Sequence, residues 1–191
     1  RKNNLPSFKT NSIEDWEEKV NEICKETINE NMTTIGGIPS WVQMYFEILL
    51  KKSNKKNITE LFKGLSLFIY GGVNFYPYQK VFNKLLGKKV NTIEYYPASE
   101  GFFAYQNSQK DKSLLLQYNS GIFYEFIKTN EFESEKYTRY NLTNVEVGVN
   151  YILIVTSNAG LWAYNTGDTI KFTSINPPKI LVTGRYKHFI S

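Results

Sequence analysis

The chain has 191 residues, enough for one well-cored domain, and its 41% hydrophobic and 21% charged composition is that of an ordinary folded domain. A single cysteine, Cys24, excludes an internal disulfide and a cysteine metal cluster. The net charge of +5 comes from scattered lysines, densest at Lys51, Lys52, Lys55 and Lys56, and the lack of interleaved aromatics there argues against a nucleic-acid patch. No apolar run approaches the length of a membrane span, and the N-terminus does not have the pattern of a signal peptide. A reducing compartment, the cytoplasm, is the expected location, and the Asn-x-Thr triplets at Asn31, Asn57 and Asn141 are then chance matches. The 16% aromatic content suits either a core or a flat-ligand pocket.

Taken in order, the chain first predicts a helix N-capped by Ser12, with Glu14 and Asp15 in its first turn. Ile13, Trp16, Val20, Ile23 and Thr27 form its amphipathic face, and Cys24 beside that face reads as a core thiol. Residues 32–35 are strand-like, and Gly36-Gly37-Ile38-Pro39-Ser40 leads tightly into a nearly all-apolar helix over 41–50 that is expected to be buried. A short helical stretch at 58–62 precedes an apolar strand at 65–70, which Gly71-Gly72 stops. Pro77 opens a helix running through Val81, Phe82, Leu85 and Leu86 to a C-terminal cap at Gly87. The next strand starts at Val90, so strand, helix and strand make a βαβ unit with parallel pairing.

That strand runs into Tyr96-Pro97-Ala98-Ser99-Glu100-Gly101, where proline and glycine oppose simple continuation. An aromatic ring, a hydroxyl and a carboxylate thus fall within five residues at a strand end. Tyr96 is suited to stacking on a purine, Ser99 to a phosphate oxygen and Glu100 to a hard cation. A polar turn with a buried tyrosine is the plainer alternative. Past Gly101 the character changes: 102–105, 113–118, 122–127, 144–147 and 151–156 are short strand-like runs without helices between them, joined by polar loops at 106–112 and 131–136. This half reads as antiparallel β. Tyr164-Asn165-Thr166-Gly167-Asp168 then places a carboxylate after a glycine and before a strand, where it suits a ribose diol, and Gly184-Arg185 follows a last strand at 179–182. Each motif alone is equally a hairpin turn or a surface arginine.

Together, in this order and spacing, Tyr96-Pro97-Ala98-Ser99-Glu100, Tyr164-Asn165-Thr166-Gly167-Asp168 and Gly184-Arg185 resemble the adenylate-forming superfamily. The chain is most similar there to the auxin-responsive acyl-acid amido synthetases, the Gretchen Hagen family, and more to their bacterial relatives than to the plant enzymes. Gly37 to Trp41, Phe68-Ile69-Tyr70-Gly71-Gly72-Val73, Ser99-Glu100-Gly101-Phe102-Phe103, Phe123-Tyr124-Glu125-Phe126-Ile127 and Asn158-Ala159-Gly160-Leu161-Trp162 extend the likeness from about Gly36 onward. The resemblance implies an α/β fold, with a βαβ half over 1–101 and a β-rich half over 102–191, as one partial domain of the large nucleotide-binding domain. It implies ATP and Mg²⁺ as cofactors. Tyr96 would stack on adenine, with Gly71, Gly72 and Val73 as one wall of that pocket. Ser99 would contact the α-phosphate, Glu100 would ligate Mg²⁺, Asp168 would hold the ribose and Arg185 would bind nucleotide near an interdomain hinge. The implied partners are a carboxylic acid and an amine or amino acid, joined through an acyl-adenylate, with no nucleic acid and no membrane; the oligomeric state is left open.

The family's Gly-rich phosphate loop has no counterpart before Thr33, and the sequence stops at the expected hinge, so the piece by itself is expected to be inactive. Lone His188 in that hinge reads as structural or exposed. Two alternatives stand beside the amide-forming reading: an acyl-CoA-forming ligase of the same superfamily, and a nucleotide-binding scaffold that has lost the chemistry.

Overall fold

The computed structural model describes residues 4–134 and 136–186. These fall into two units that divide between Ile93 and Glu94. The expected hinge residues past Tyr186, His188 among them, lie outside the described residues.

In the first unit, α1 (Phe8–Asn11) and α2 (Trp16–Thr27) replace the single expected helix start. Ser12 is not an N-cap but closes α1, its hydroxyl donating to the Phe8 carbonyl at 2.9 Å. Asp15 is the real cap of α2: its carboxylate accepts the Glu18 N–H at 2.7 Å, with Glu17 and Glu18 in the dipole-favoured first turn. The amphipathic face is as expected, burying Val20, Cys24 and Thr27. Burial raises the Cys24 thiol above its ordinary pKa, as befits a core residue. The helix expected at 41–50 is α3 (Pro39–Ser53), ended by Asn54 in the left-handed region. It buries Val42, Tyr45, Phe46 and Leu49 but leaves Trp41 and Met44 exposed, so it is not buried all round. An all-apolar sequence does not declare its core face, and here Trp41 only covers Trp16, at 4.7 Å between ring centroids.

Strands β1 (Thr34–Gly36) and β2 (Leu67–Gly71) pair in parallel, Ile35 opposite Phe68. Between β2 and β3 (Asn91–Ala98) runs α5 (Tyr76–Leu86), while α4 (Ile58–Leu61) precedes β2. The Asn91 N–H, at the start of β3, donates to the Ser66 carbonyl. Gly87 caps α5 at φ +79°, as expected of a C-terminal glycine. Phe46, Phe68, Phe75 and Phe82 meet in the core of this unit, Phe68 stacked on Phe82 at 4.9 Å.

The second unit is antiparallel throughout, with the remainder of β3 followed by β4 (Gly101–Gln106), β5 (Leu114–Leu116), β6 (Ile122–Lys128), β7 (Asn150–Ser157), β8 (Tyr164–Ile175) and β9 (Pro178–Arg185). Their order is β3-β4-β5-β9-β8-β7-β6. Strand β7 is a nearly continuous apolar run because both of its faces are covered: Tyr151, Leu153 and Val155 join Phe103, Phe126 and Phe172 on one side, while Ile152 and Ile154 meet Ile127 on the other.

Three sequence expectations change here. Residues 144–147 are not a strand; the Asn141 N–H donates to Asn144 Oδ1 at 2.7 Å and the Thr143 N–H to Asn141 Oδ1 at 2.9 Å, and these asparagine bonds hold the chain in turns. Pro97 does not end β3, because a bulge between Tyr96 and Pro97 absorbs the missing donor and the strand continues to Ala98. Asp168 does not precede a strand but lies within β8.

Candidate functional site

Two of the residues singled out in the sequence, Tyr96 and Arg185, converge on the carboxylate of a third, Asp168, in the second unit. Tyr96 stands at the bulge of β3, with 7% of its surface exposed and its ring edge-on to Phe103 at 5.1 Å. Its hydroxyl donates to Asp168 Oδ2 at 2.6 Å. Arg185, directly opposite Asp168 in the β8–β9 ladder, donates from Nε to Asp168 Oδ1 at 2.9 Å. The ion pair is asymmetric: the Asp168 side chain is 13% exposed and that of Arg185 57%. One guanidinium N–H is thereby used, and the planar fork keeps donors for a second acceptor.

The backbone around Asp168 is fixed from several directions. Gly167 takes φ +76°, its N–H donates to Asn165 Oδ1 at 2.9 Å, and its carbonyl accepts the Tyr186 N–H at 2.9 Å. Buried Thr166 accepts the Asp168 N–H at 3.2 Å and donates its own hydroxyl to the Leu153 carbonyl at 3.0 Å. Burial, then the hydrogen bond to Asp168, push the Tyr96 phenol well above its ordinary pKa, and the Glu100 charge adds to the shift. Tyr96 is therefore a neutral donor at any pH the protein meets.

Ser99 and Glu100 form the two-residue turn between β3 and β4, Ser99 exposed and Glu100 half-buried. Among the described residues, no group of three or more His, Cys, Asp or Glu side chains is placed to hold a metal ion. A lone carboxylate such as Glu100 still fits Mg²⁺ when substrate phosphates and water complete the octahedron, the usual arrangement for that ion. Gly71, Gly72 and Val73 belong to the first unit, at the end of β2, with Gly72 at φ +81° and Val73 40% exposed.

One feature of the second unit escaped the sequence reading. An open groove of about 530 Å³ is lined by Tyr118, Gly121, Ile122, Phe123, Ser157 and Trp162, among others. Trp162 is 81% and Phe123 60% exposed, and the buried Ser157 hydroxyl has no hydrogen-bond partner among the described residues. On the opposite, core face of the same strand, the Ile122 side chain packs against Gly101, 2.8 Å from where a Cβ on that glycine would be. Phe123 carried the readable signal: on a strand of period two it points opposite to core residue Tyr124, and a phenylalanine facing outward has to face something.

No curated protein matches the chain. A solved structure of the GH3.15 acyl acid amido synthetase superposes with a TM-score of 0.68 at 15% identity, covering 95% of this chain and 42% of that one. A 2-hydroxyisobutyryl-CoA ligase in complex with 2-HIB-AMP and CoA superposes at 0.64, with 13% identity over 91% and 40% of the respective chains. The Vibrio cholerae adenylation domain AlmE, in complex with glycyl-adenosine-5'-phosphate, reaches 0.51 with 12% identity over 89% and 34%. The fold is thus the mixed α/β fold of the adenylate-forming enzymes, and the chain spans about two fifths of the length of the first two structures it matches. Residues 115–185 match the model of the GH3 family central domain.

Proposed function

We propose that the protein activates a carboxylic acid with ATP and Mg²⁺ and passes the acyl group to an amine, such as an amino acid. A carboxylate oxygen of the acid attacks the α-phosphorus, the bond to pyrophosphate breaks, and an acyl-adenylate forms. The amine nitrogen then attacks the acyl carbon, AMP leaves with the bonding pair, and the nitrogen gives up a proton. The observation that carries this reading is the convergence of Tyr96 and Arg185 on Asp168 from 72 and 17 residues away, in a chain whose 115–185 segment matches the model of the GH3 family central domain.

In this reading Asp168 accepts the ribose hydroxyls, and the free donors of Arg185 meet the nucleotide. Tyr96 borders the ribose end: with only 7% of the residue exposed, it offers a base little ring face. Ser99 contacts the α-phosphate. Glu100 would hold Mg²⁺, which would supply charge neutralisation at the phosphates. The acid lies in the groove of Phe123 and Trp162, whose exposed aromatic lining suits the apolar body of an acyl group. The reducing compartment implied by free, buried Cys24 is the cytoplasm.

Thioester formation is the second reading, favoured by the 0.64 superposition on a CoA ligase. Product analysis separates the two. Full-length protein given ATP, an accepted acid and either an amino acid or coenzyme A forms the amide; accumulation of the thioester instead selects the second reading.

A further inference from the structure

We infer that Tyr96 acts through its hydroxyl as the positioning residue of the ribose site, holding the Asp168 carboxylate in the orientation that receives a vicinal diol. This rests on the reading of Asp168 as the ribose acceptor. A carboxylate offers about four acceptor positions. Tyr96 and Arg185 take one on each oxygen, which leaves one on each for the two hydroxyls of a ribose.

The two present partners are not equivalent. Arg185 is more than half exposed, so its hold is shared with water and loosened by salt and side-chain motion. Tyr96 is packed into the core of the unit against Phe103, and its neutral hydroxyl has a single short bond, to Asp168. The rigid partner sets the carboxylate plane. Losing it leaves Asp168 charged and present but free to rotate, which costs recognition of two hydroxyls at fixed spacing more than it costs attraction to the rest of a nucleotide.

The experiment compares AMP with 2',3'-dideoxy-AMP by calorimetric titration of the full-length protein. In the unmodified protein AMP binds about tenfold tighter or more, the value of losing charge-assisted hydrogen bonds. Tyr96→Phe removes one oxygen, keeps the ring packing, and reduces that ratio at least about threefold while dideoxy-AMP affinity holds. In a Asp168→Ala background the same substitution changes nothing further. Phe103→Leu, which disturbs the ring's packing and keeps the hydroxyl, leaves the ratio intact. If Tyr96→Phe keeps the ratio, or Phe103→Leu lowers it equally, the positioning role is overturned while the ribose assignment survives. If the unmodified protein binds both nucleotides alike, the ribose assignment falls and the positioning role with it.

Discussion

Asp111 and Asp168 are both carboxylates beside a cation, yet they do different work. Asp168 is wrapped by unlike donors at the end of β8–β9, while Asp111 pins the loop before β5 to β9 through Lys179 Nζ at 2.7 Å and also accepts the Ser113 N–H at 2.9 Å. The Lys179 hydrogen bond holds the Asp111 carboxyl down to about 2, from an ordinary value of 3.8. A carboxyl depressed in the folded state contributes stability that is complete above its ordinary pKa and is lost as pH falls through the folded one. Asp111→Asn is therefore expected to melt lower than the unmodified chain at pH 7 and to lose less on acidification, so that the two melting temperatures converge by pH 2. Parallel curves across that range would show that the pair contributes nothing.

At the scale of elements, the caps and turns decide where α-helices and strands stop. Gly87 ends α5 at φ +79°, and a Cβ there would lie 2.4 Å from the Asn57 side chain, which caps α4 through its bond to the Glu60 N–H. Gly87→Ala thus strains one cap and displaces another, with an expected loss of about 2–4 kcal/mol. Gly121→Ala, at φ +82° with nothing near the new atom, is expected to cost about 1 kcal/mol; equal losses in chemical denaturation would refute the Asn57 contact. The groove beside β6 has its own test. Trp162→Ala removes an 81% exposed side chain, so the melting temperature stays and the KM for the acid rises several-fold with the KM for ATP unchanged. A shift in ATP instead would move the acid elsewhere. These elements also mark what was legible. Apolar strand-like runs and terminal glycines read correctly for β2, β4, β6, β7 and α5, because burial and φ are imposed locally. Ser12 against Asp15 did not, since both are good caps and only the tertiary bond of Ser7 and Thr10 to Glu26 fixes α1 as a separate turn. The Asp168 cluster was legible as motifs, whereas the contact between them is a matter of register across β8–β9 and the bulge of β3, which no local pattern carries.

At the scale of the whole molecule, the chain carries two cores of different build. One is helices over a short parallel pair, and the other is an antiparallel sheet that holds Tyr96, Ser99, Glu100, Asp168, Arg185 and the aromatic groove within residues 94–191. No helix among the described residues is long and apolar enough to cross a membrane. The proposed reaction asks that residues assigned to the nucleotide and to the acid share one rigid scaffold, because the reacting atoms must be held about 3 Å apart. The most direct test of adenylation is ATP–pyrophosphate exchange by the full-length protein over a panel of carboxylic acids, aliphatic and aromatic. The account predicts Mg²⁺-dependent exchange that requires an acid and proceeds without any amine. Nucleotide binding with no exchange for any acid would contradict it and leave a nucleotide-binding scaffold.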